Sequence, residues 1–367
     1  MRRILIPAAA LVLTITMGVC GGMTAEPAEP AESAESAGTK PTHLLSSTRK
    51  AGQIDRVEAD LTVVGYVSQR VDEEVKRMKM SVQGKLYYDE KTLEMSADAA
   101  GRRRSVRYYD EAEAAIGVAE ARVKPTLDAR RRLVAVEVDG TETTLFSPQS
   151  ELTADELDLI DILGNSLLLD RLLPEKPVSV GDRWKLPKEL IVAMLRIDAA
   201  STSEVSSELT ELTEVGARFE LTGRIKGTWD GAAAEIELQG KYRFNRKTGR
   251  IDWVGLLAKV NRDIGAITRG TDSVVRLIVT VAPKQQSDRL SDESLAGLSL
   301  EPTDKLTRLA CGSSSDGWQL THGRQWYSVS DQHDPASLKL VEQGKVVAQC
   351  KIAALPKLTA GKVVFME

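Results

Sequence analysis

Between Leu152 and Trp184 the chain reads LTADELDLIDILGNSLLLDRLLPEKPVSVGDRW, an apolar stretch with helical spacing in a sequence that otherwise alternates every second residue. Thr153 followed by Glu156 is a capping box: the hydroxyl takes an orphan amide of the first turn, and the carboxylate reaches back to the cap's own amide. Leu152 and Leu157 add the matching hydrophobic staple. The spacing predicts a helix over 153–173, stopped by Pro174 and Pro177. Leu157, Ile160, Leu163, Leu167 and Leu168 cluster on one side, while Leu159, Ile162, Leu169 and Leu173 fall nearly opposite, leaving Asp158, Asp161 and Asn165 as a narrow polar ribbon. A surface helix needs only one apolar stripe. This one is expected to be clasped on both sides, as in the hollow of a curved sheet.

The sequence around it reads as strand. Val57, Ala59, Leu61 and Val63 alternate with Glu58, Asp60 and Thr62; Met78, Met80, Val82 and Leu86 alternate with Lys79, Ser81, Gln83 and Lys85. That is antiparallel sheet with one buried face. Asp139-Gly140 and Asp230-Gly231 predict hairpin turns, since both turn positions must tolerate positive φ. Residues 111–123 fit either a helix or a strand. KELIVAMLRI predicts a second helix over 187–197, and Gly223, Gly227 and Gly231, at four-residue intervals, imply bends or close approach by another segment. The expected fold class is α+β: over residues 51–283, a strongly curved, half-barrel-like antiparallel sheet wrapped around a two-helix insertion. Residues 284–303 are polar and aperiodic and read as a linker. Residues 304–367 form a small C-terminal α+β module, so short that it either leans on the first domain or is incomplete.

The ends bear on location. MRRILIPAAALVLTITMGVCGG, residues 1–22, has the basic start, apolar run and small residues of a secretory signal. Cys20 sits where a bacterial lipoprotein carries its lipidated cysteine, although Val19 and Met17 depart from that motif; simple cleavage between Cys20 and Glu26 is the other reading. Residues 23–50 hold an Ala, Glu, Pro and Ser tether that cannot bury apolar surface. The mature chain is therefore expected in the periplasm or cell envelope, with membrane contact only through a lipid on Cys20. Export makes a Cys311–Cys350 disulfide an alternative to two buried thiols. Cys311, His322, His333 and Cys350 match no tight metal-ligand spacing, and no metal or cofactor is expected. A net charge of −4 excludes a dedicated nucleic-acid binder.

Catalytic motifs are missing: there is no Gly-x-Ser-x-Gly elbow, phosphate loop, dinucleotide fingerprint or zinc helix. Ser47-Thr48-Arg49-Lys50 is formally Ser-x-x-Lys but has no partner motif. Carboxylate pairs are plentiful, Asp155 with Asp158, Asp158 with Asp161, and Glu235 with Glu237; the last two residues fall on the exposed side of a strand by alternation and read as a solvated face rather than a glycosidase pair. Arg102, Arg103 and Arg104 with Arg130, Arg131 and Arg132 lie beside strand ends; they either converge on one basic patch for anionic groups or an acidic partner, or belong to an ordinary charged face. The apolar surface around Leu157, Ile160, Leu163, Leu167, Leu168, Trp184, Trp229 and Trp253 is either plain core or an underfilled hollow that accepts an acyl chain.

Two segments, LLPEKPVSVGDRWKLP and GRIKGTWDGAAAEIELQGKYRFNRKTGRIDW, resemble an uncharacterised group of exported bacterial proteins of the planctomycete type. The order of strands, helix pair and strands is similar to the half-barrel lipoprotein carriers of the Lol type, which implies a lipid ligand. WYSVSDQHDPASLKLVEQGKVVAQCKIAALPKL resembles the opening strands of a PsbP-like module. The leading expectation is a non-enzymatic envelope protein that binds a lipid or other apolar ligand. The alternatives are a structural or protein-interaction component with a self-filled core and, more remotely, an envelope hydrolase.

Overall fold

The computed structural model describes residues 41–352 apart from 72, 97, 99–100, 267, 314–317, 331–335 and 343–344. The alternating segments become long strands: β1 (Ile54–Val71), β2 (Glu74–Met95) and β3 (Arg103–Val118), then the short β4 (Ala121–Val123), β5 (Leu133–Asp139) and β6 (Glu142–Phe146). The ambiguous stretch over 111–123 is thus strand. A two-residue β7 (Leu152–Thr153) leads into α1 (Ala154–Ile160), a 3-10 helix (Ser166–Leu172), β8 (Arg183–Lys185) and α2 (Lys188–Leu195). The chain returns to sheet with β9 (Ala199–Ser203), β10 (Ser206–Leu212), β11 (Gly216–Trp229), β12 (Ala232–Asn245), β13 (Arg250–Arg262) and β14 (Gly270–Lys284).

These strands form one 13-stranded sheet in the order β6-β5-β3-β2-β1-β14-β13-β12-β11-β10-β8, with β4 beside β3 and β9 beside β11. Neighbours are antiparallel throughout, and the seam is the pairing of β1 with β14, from Ile54 opposite Lys284 to Ser68 opposite Gly270. Two meanders are therefore joined by their outermost segments in sequence, with the helical insert between them. Long strands twist and coil a sheet, and bulges sharpen the bend. Bulges fall in β2–β3, β10–β11, β9–β11 and β12–β13. Gly223 and Gly227 leave room for the chain at Ala199–Val205, where a Cβ would meet backbone atoms.

The insert lies against the inward face of both meanders and shares one hydrophobic core with them. It is not the single helix expected over 153–173. The capping box forms as read, but α1 ends at Ile160 and the chain resumes as a 3-10 helix at Ser166. Gly164, at φ +75°, makes the break and donates its N–H to Met194 O at 2.8 Å. A methyl there would collide with Leu277 Cδ2 of β14. Gly164→Ala is accordingly expected to cost about 1–2 kcal/mol in left-handed backbone and about 1–3 kcal/mol in overpacking, read as a lowered midpoint in urea denaturation.

The segment read as a linker is strapped to the outer face of the sheet. It carries α3 (Asp292–Leu295), and Leu290 and Leu295 pack with Val106 and Leu133 in a second, small core. Next comes β15 (Leu309–Ser313), which pairs parallel to β7 and antiparallel to β16 (Trp318–His322), so this part of the C-terminal module leans on the first domain. The strands β17 (Trp326–Ser330), β18 (Ala336–Glu342) and β19 (Lys345–Ile352) make a separate three-stranded antiparallel sheet. Cys311, buried in β15, and Cys350, exposed in β19, lie in different sheets and form no disulfide with each other, contrary to the bridged alternative. No helix among the described residues is long and apolar enough to cross a membrane.

Candidate functional site

The hollow is the candidate site, and its occupant is the insert. Leu167 and Leu168 are wholly buried, and Leu157, Ile160 and Leu163 are nearly so. Trp229 is buried in the same core, with the Arg262 guanidinium 5.4 Å from its ring centre. Trp184 packs edge-on against Phe219 at 5.8 Å, Phe219 stacks on Tyr242 at 4.5 Å, and the Tyr242 hydroxyl donates to Leu172 O at 2.8 Å. Trp253 does not belong to this set. Its neighbours Val254 and Leu256 point inward, so the alternation of β13 puts the indole on the outer face beside Gly255. A cavity of about 10 Å³ remains between insert and sheet, bounded by Tyr88, Arg107, Leu145, Ile160 and Asn165 among others. That is room for one water at most.

One end of the hollow is polar, and sequence reasoning missed it. Asp55 of β1, Glu90 of β2, Ser105 and Arg107 of β3 and Arg250 of β13 are buried together with Arg49, whose segment crosses this end. Glu90 accepts four hydrogen bonds: from Arg107 Nε at 2.7 Å, Arg49 Nη2 at 2.8 Å, Ser105 Oγ at 2.9 Å and Ser166 Oγ at 2.7 Å. Arg107 reaches on to Asn165 Oδ1 at 2.6 Å, and Arg49 to Ser166 O at 2.9 Å. The network therefore grips the start of the 3-10 helix. Asp55 joins through Arg49 at 3.2 Å and Arg250 at 2.6 Å.

Burial alone would raise the Glu90 carboxyl, but the charges of Arg107 and Arg49 and the serine hydrogen bond outweigh it and hold the group down at about 2. For Asp55 burial wins over Arg49 and Arg250, and its pKa is raised. A carboxylate held that low is a weak base near neutral pH, so Glu90 is suited to holding geometry and not to taking a proton from the Ser166 hydroxyl. Ser47 of the formal Ser-x-x-Lys motif donates to Asp170 Oδ2 at 2.7 Å, while Lys50 points to solvent. A second fastening lies at the C-terminal end of α1, where Arg196 binds both carboxylate oxygens of Asp161, at 2.7 and 2.5 Å.

The two arginine triplets do not converge. Arg103 pairs with Val138 at one end of β5, whereas Arg132 O meets Tyr109 N at the other. Most are neutralised locally: Arg102 by Glu94 at 3.0 Å, Arg104 by Glu301 at 2.5 Å, Arg130 by Asp128 at 3.0 Å and Arg131 by Glu156 at 2.7 Å. Arg103 turns inward instead. Glu235 and Glu237 lie on the exposed face as expected, paired with Lys226 and with Arg224 and Lys259. Cys20 and His333 lie outside the described residues, among which no group of three or more His, Cys, Asp or Glu side chains could hold a metal.

Compared with protein-family models the chain matches none, and no curated protein matches it. Among solved structures, a DUF1329 family protein from Desulfovibrio piger aligns with 66% of this chain and 92% of its own length, at 10% identity and a TM-score of 0.13. A likeness that weak carries no argument about fold or function. The mostly antiparallel, curved sheet described above is compatible with the half-barrel carrier architecture.

Proposed function

We propose that this is a non-enzymatic protein of the cell envelope that binds an apolar or amphiphilic ligand in the space its own insert fills when no ligand is present. The resemblances to exported planctomycete-type proteins and to half-barrel carriers belong to this proposal. The observation that carries it is the way the insert is held. Its leucines sit in an apolar hollow, its backbone is a seven-residue 3-10 helix, and its fastenings are the Glu90 network and the Arg196–Asp161 pair. Runs of 3-10 helix longer than three or four residues are uncommon and often mark a hinge or a strained segment. A ligand that offers equivalent apolar surface could exchange with the leucines at little net cost, since burial energy is non-directional and follows area.

The small size of the remaining cavity favours a second reading, a structural component whose core is self-filled and whose partner is another envelope protein. Native mass spectrometry of the chain purified from an exporting host, then offered palmitoyl lysophosphatidylglycerol, separates the two. The carrier reading expects a bound ligand, with occupancy raised in Asp161→Asn, which loosens the insert. Bare masses for both proteins, before and after the lipid is offered, would overturn it in favour of the self-filled reading.

A further inference from the structure

Trp253, the indole left outside the hollow, is set on the outer face of the sheet by a local device. At the bulge between β12 and β13, Arg243 lies opposite Trp253 while Phe244 lies opposite Ile251, so Asp252 is the extra residue. Ile251 and Val254 are buried on the inward side, and Asp252 and Trp253 both turn outward, where Arg243 binds the Asp252 carboxylate. Bulges re-aim side chains in this way and recur beside functional sites. Two residues on, Gly255 leaves space that the indole uses: a Cβ at 255 would come within 2.6 Å of Trp253 Cη2. The half-buried ring therefore reaches along the strand over a position kept bare for it.

Across the sheet the register puts Glu211, Arg218, Arg243 and Trp253 in one row, on β10, β11, β12 and β13. At about 4.8 Å between strands the row is about 14 Å long, enough for roughly two or three sugar rings in line. Two grooves flank it and share Glu211, Arg218 and Arg243. The larger, about 490 Å³, adds Lys241, Glu220 and Trp253; the smaller, about 420 Å³, adds Val215, Asn245 and Asp252. Both are of the size that small-molecule sites have.

The charges of this face cancel in pairs: Arg218 with Glu211 at 2.6 Å, Lys241 with Glu220 at 2.7 Å and Arg243 with Asp252 at 2.7 Å. Lys247 of the smaller groove adds one cation. A polyanion would have to displace these carboxylates, and a protein partner would meet charged pairs around the indole, where the centre of an interface is depleted of charge. A neutral polyhydroxy ligand meets neither obstacle. Arginine has five N–H donors and a carboxylate about four acceptor sites, so each pair keeps groups to spare for hydroxyls. Exposed pairs contribute little to stability and can shift at small cost. The indole supplies an apolar face for the C–H side of a pyranose ring.

We infer that this face of the sheet is a saccharide-binding site, where a ring of a neutral, β-1,4-linked chain stacks on Trp253 while the three ion pairs hydrogen-bond its hydroxyls. Such a chain is extended and its rings present C–H faces, which matches a straight row on a sheet. The site lies on the opposite side of the sheet from the insert, so it stands or falls separately from the apolar-ligand reading.

The test is calorimetric titration of the full chain with cellohexaose and with the β-1,4-linked hexamer of N-acetylglucosamine, repeated at raised salt, with a heparin hexasaccharide as the anionic comparison. Saturable binding of a neutral hexamer that salt does not weaken is expected. Trp253→Ala should weaken it about tenfold or more, and Trp253→Tyr should keep most of it. Leu257→Ala, which truncates an exposed apolar side chain farther along the same face of β13, should leave it unchanged. No binding of either neutral hexamer, binding indifferent to Trp253, or binding of the heparin chain alone would overturn the proposal. So would a native mass showing a dimer that Trp253→Ala dissolves, which would assign the face to a second copy of the chain.

Discussion

Glu90→Gln is expected to destabilise the protein by about 3–5 kcal/mol, the usual cost of breaking a buried ion pair from one side. The amide keeps the shape but not the charge, and leaves Arg49 and Arg107 buried without their shared anion. Urea denaturation at neutral pH measures the loss as a drop in midpoint with an unchanged slope. The same carboxylate sets the acid response. Its pKa falls from an ordinary 4.5 to about 2 on folding, so its contribution is fully present above about pH 4.5 and is lost as pH falls toward 2. At about 1.4 kcal/mol per unit the shift amounts to about 3 kcal/mol. Asp55 works the other way, because its raised pKa means that its burial cost is relieved on protonation. The parent should lose stability steeply between pH 4.5 and 2, and Glu90→Gln should lose much less over that window.

Leu167→Asp is the other substitution with a large expected effect. Leu167 has no exposed surface, and the new carboxylate would face an apolar core with no cation built to receive it. Burying an unpaired charge costs several kcal/mol even after relaxation, to which the lost leucine burial adds about 2 kcal/mol. The expected outcome is a chain whose insert is unseated and exchanges its amides faster, while the outer strap, packed on Val106 and Leu133 in its own small core, keeps its protection against hydrogen exchange. Leu167→Met, which conserves volume, should cost under about 1.5 kcal/mol. Equal midpoints for the two variants would mean that the insert is not part of the core.

Most of the sheet was legible because alternation is local: Val57 through Val63 and Phe219 through Trp229 announce their buried face one residue at a time. The capping box at Thr153 was legible for the same reason. The seam between β1 and β14 was not, since nothing local relates Ile54 to Lys284. The helix broke at Gly164 because tertiary contacts overrode propensity: Leu277 crowds that position, and Arg107 takes up Asn165 and Ser166. The polar end of the hollow left a signal that periodicity alone passes over. Glu90 and Thr92 follow Tyr88 at inward parity on β2, as Ser105 and Arg107 precede Tyr109 on β3. Charged residues on a buried parity are rare unless paired, and each strand's misfit was the other's partner. Trp253 was misplaced because a bulge between β12 and β13 intervenes between Ile251 and Trp253.

Hydrogen exchange of the full chain with and without palmitoyl lysophosphatidylglycerol tests the central claim most directly. If the ligand takes the place of the insert, amides of residues 161–173 should exchange faster in its presence, while β1, β2, β13 and β14 keep or gain protection. Unchanged exchange across the insert at saturating lipid would contradict that account and leave a protein whose hollow is permanently its own core.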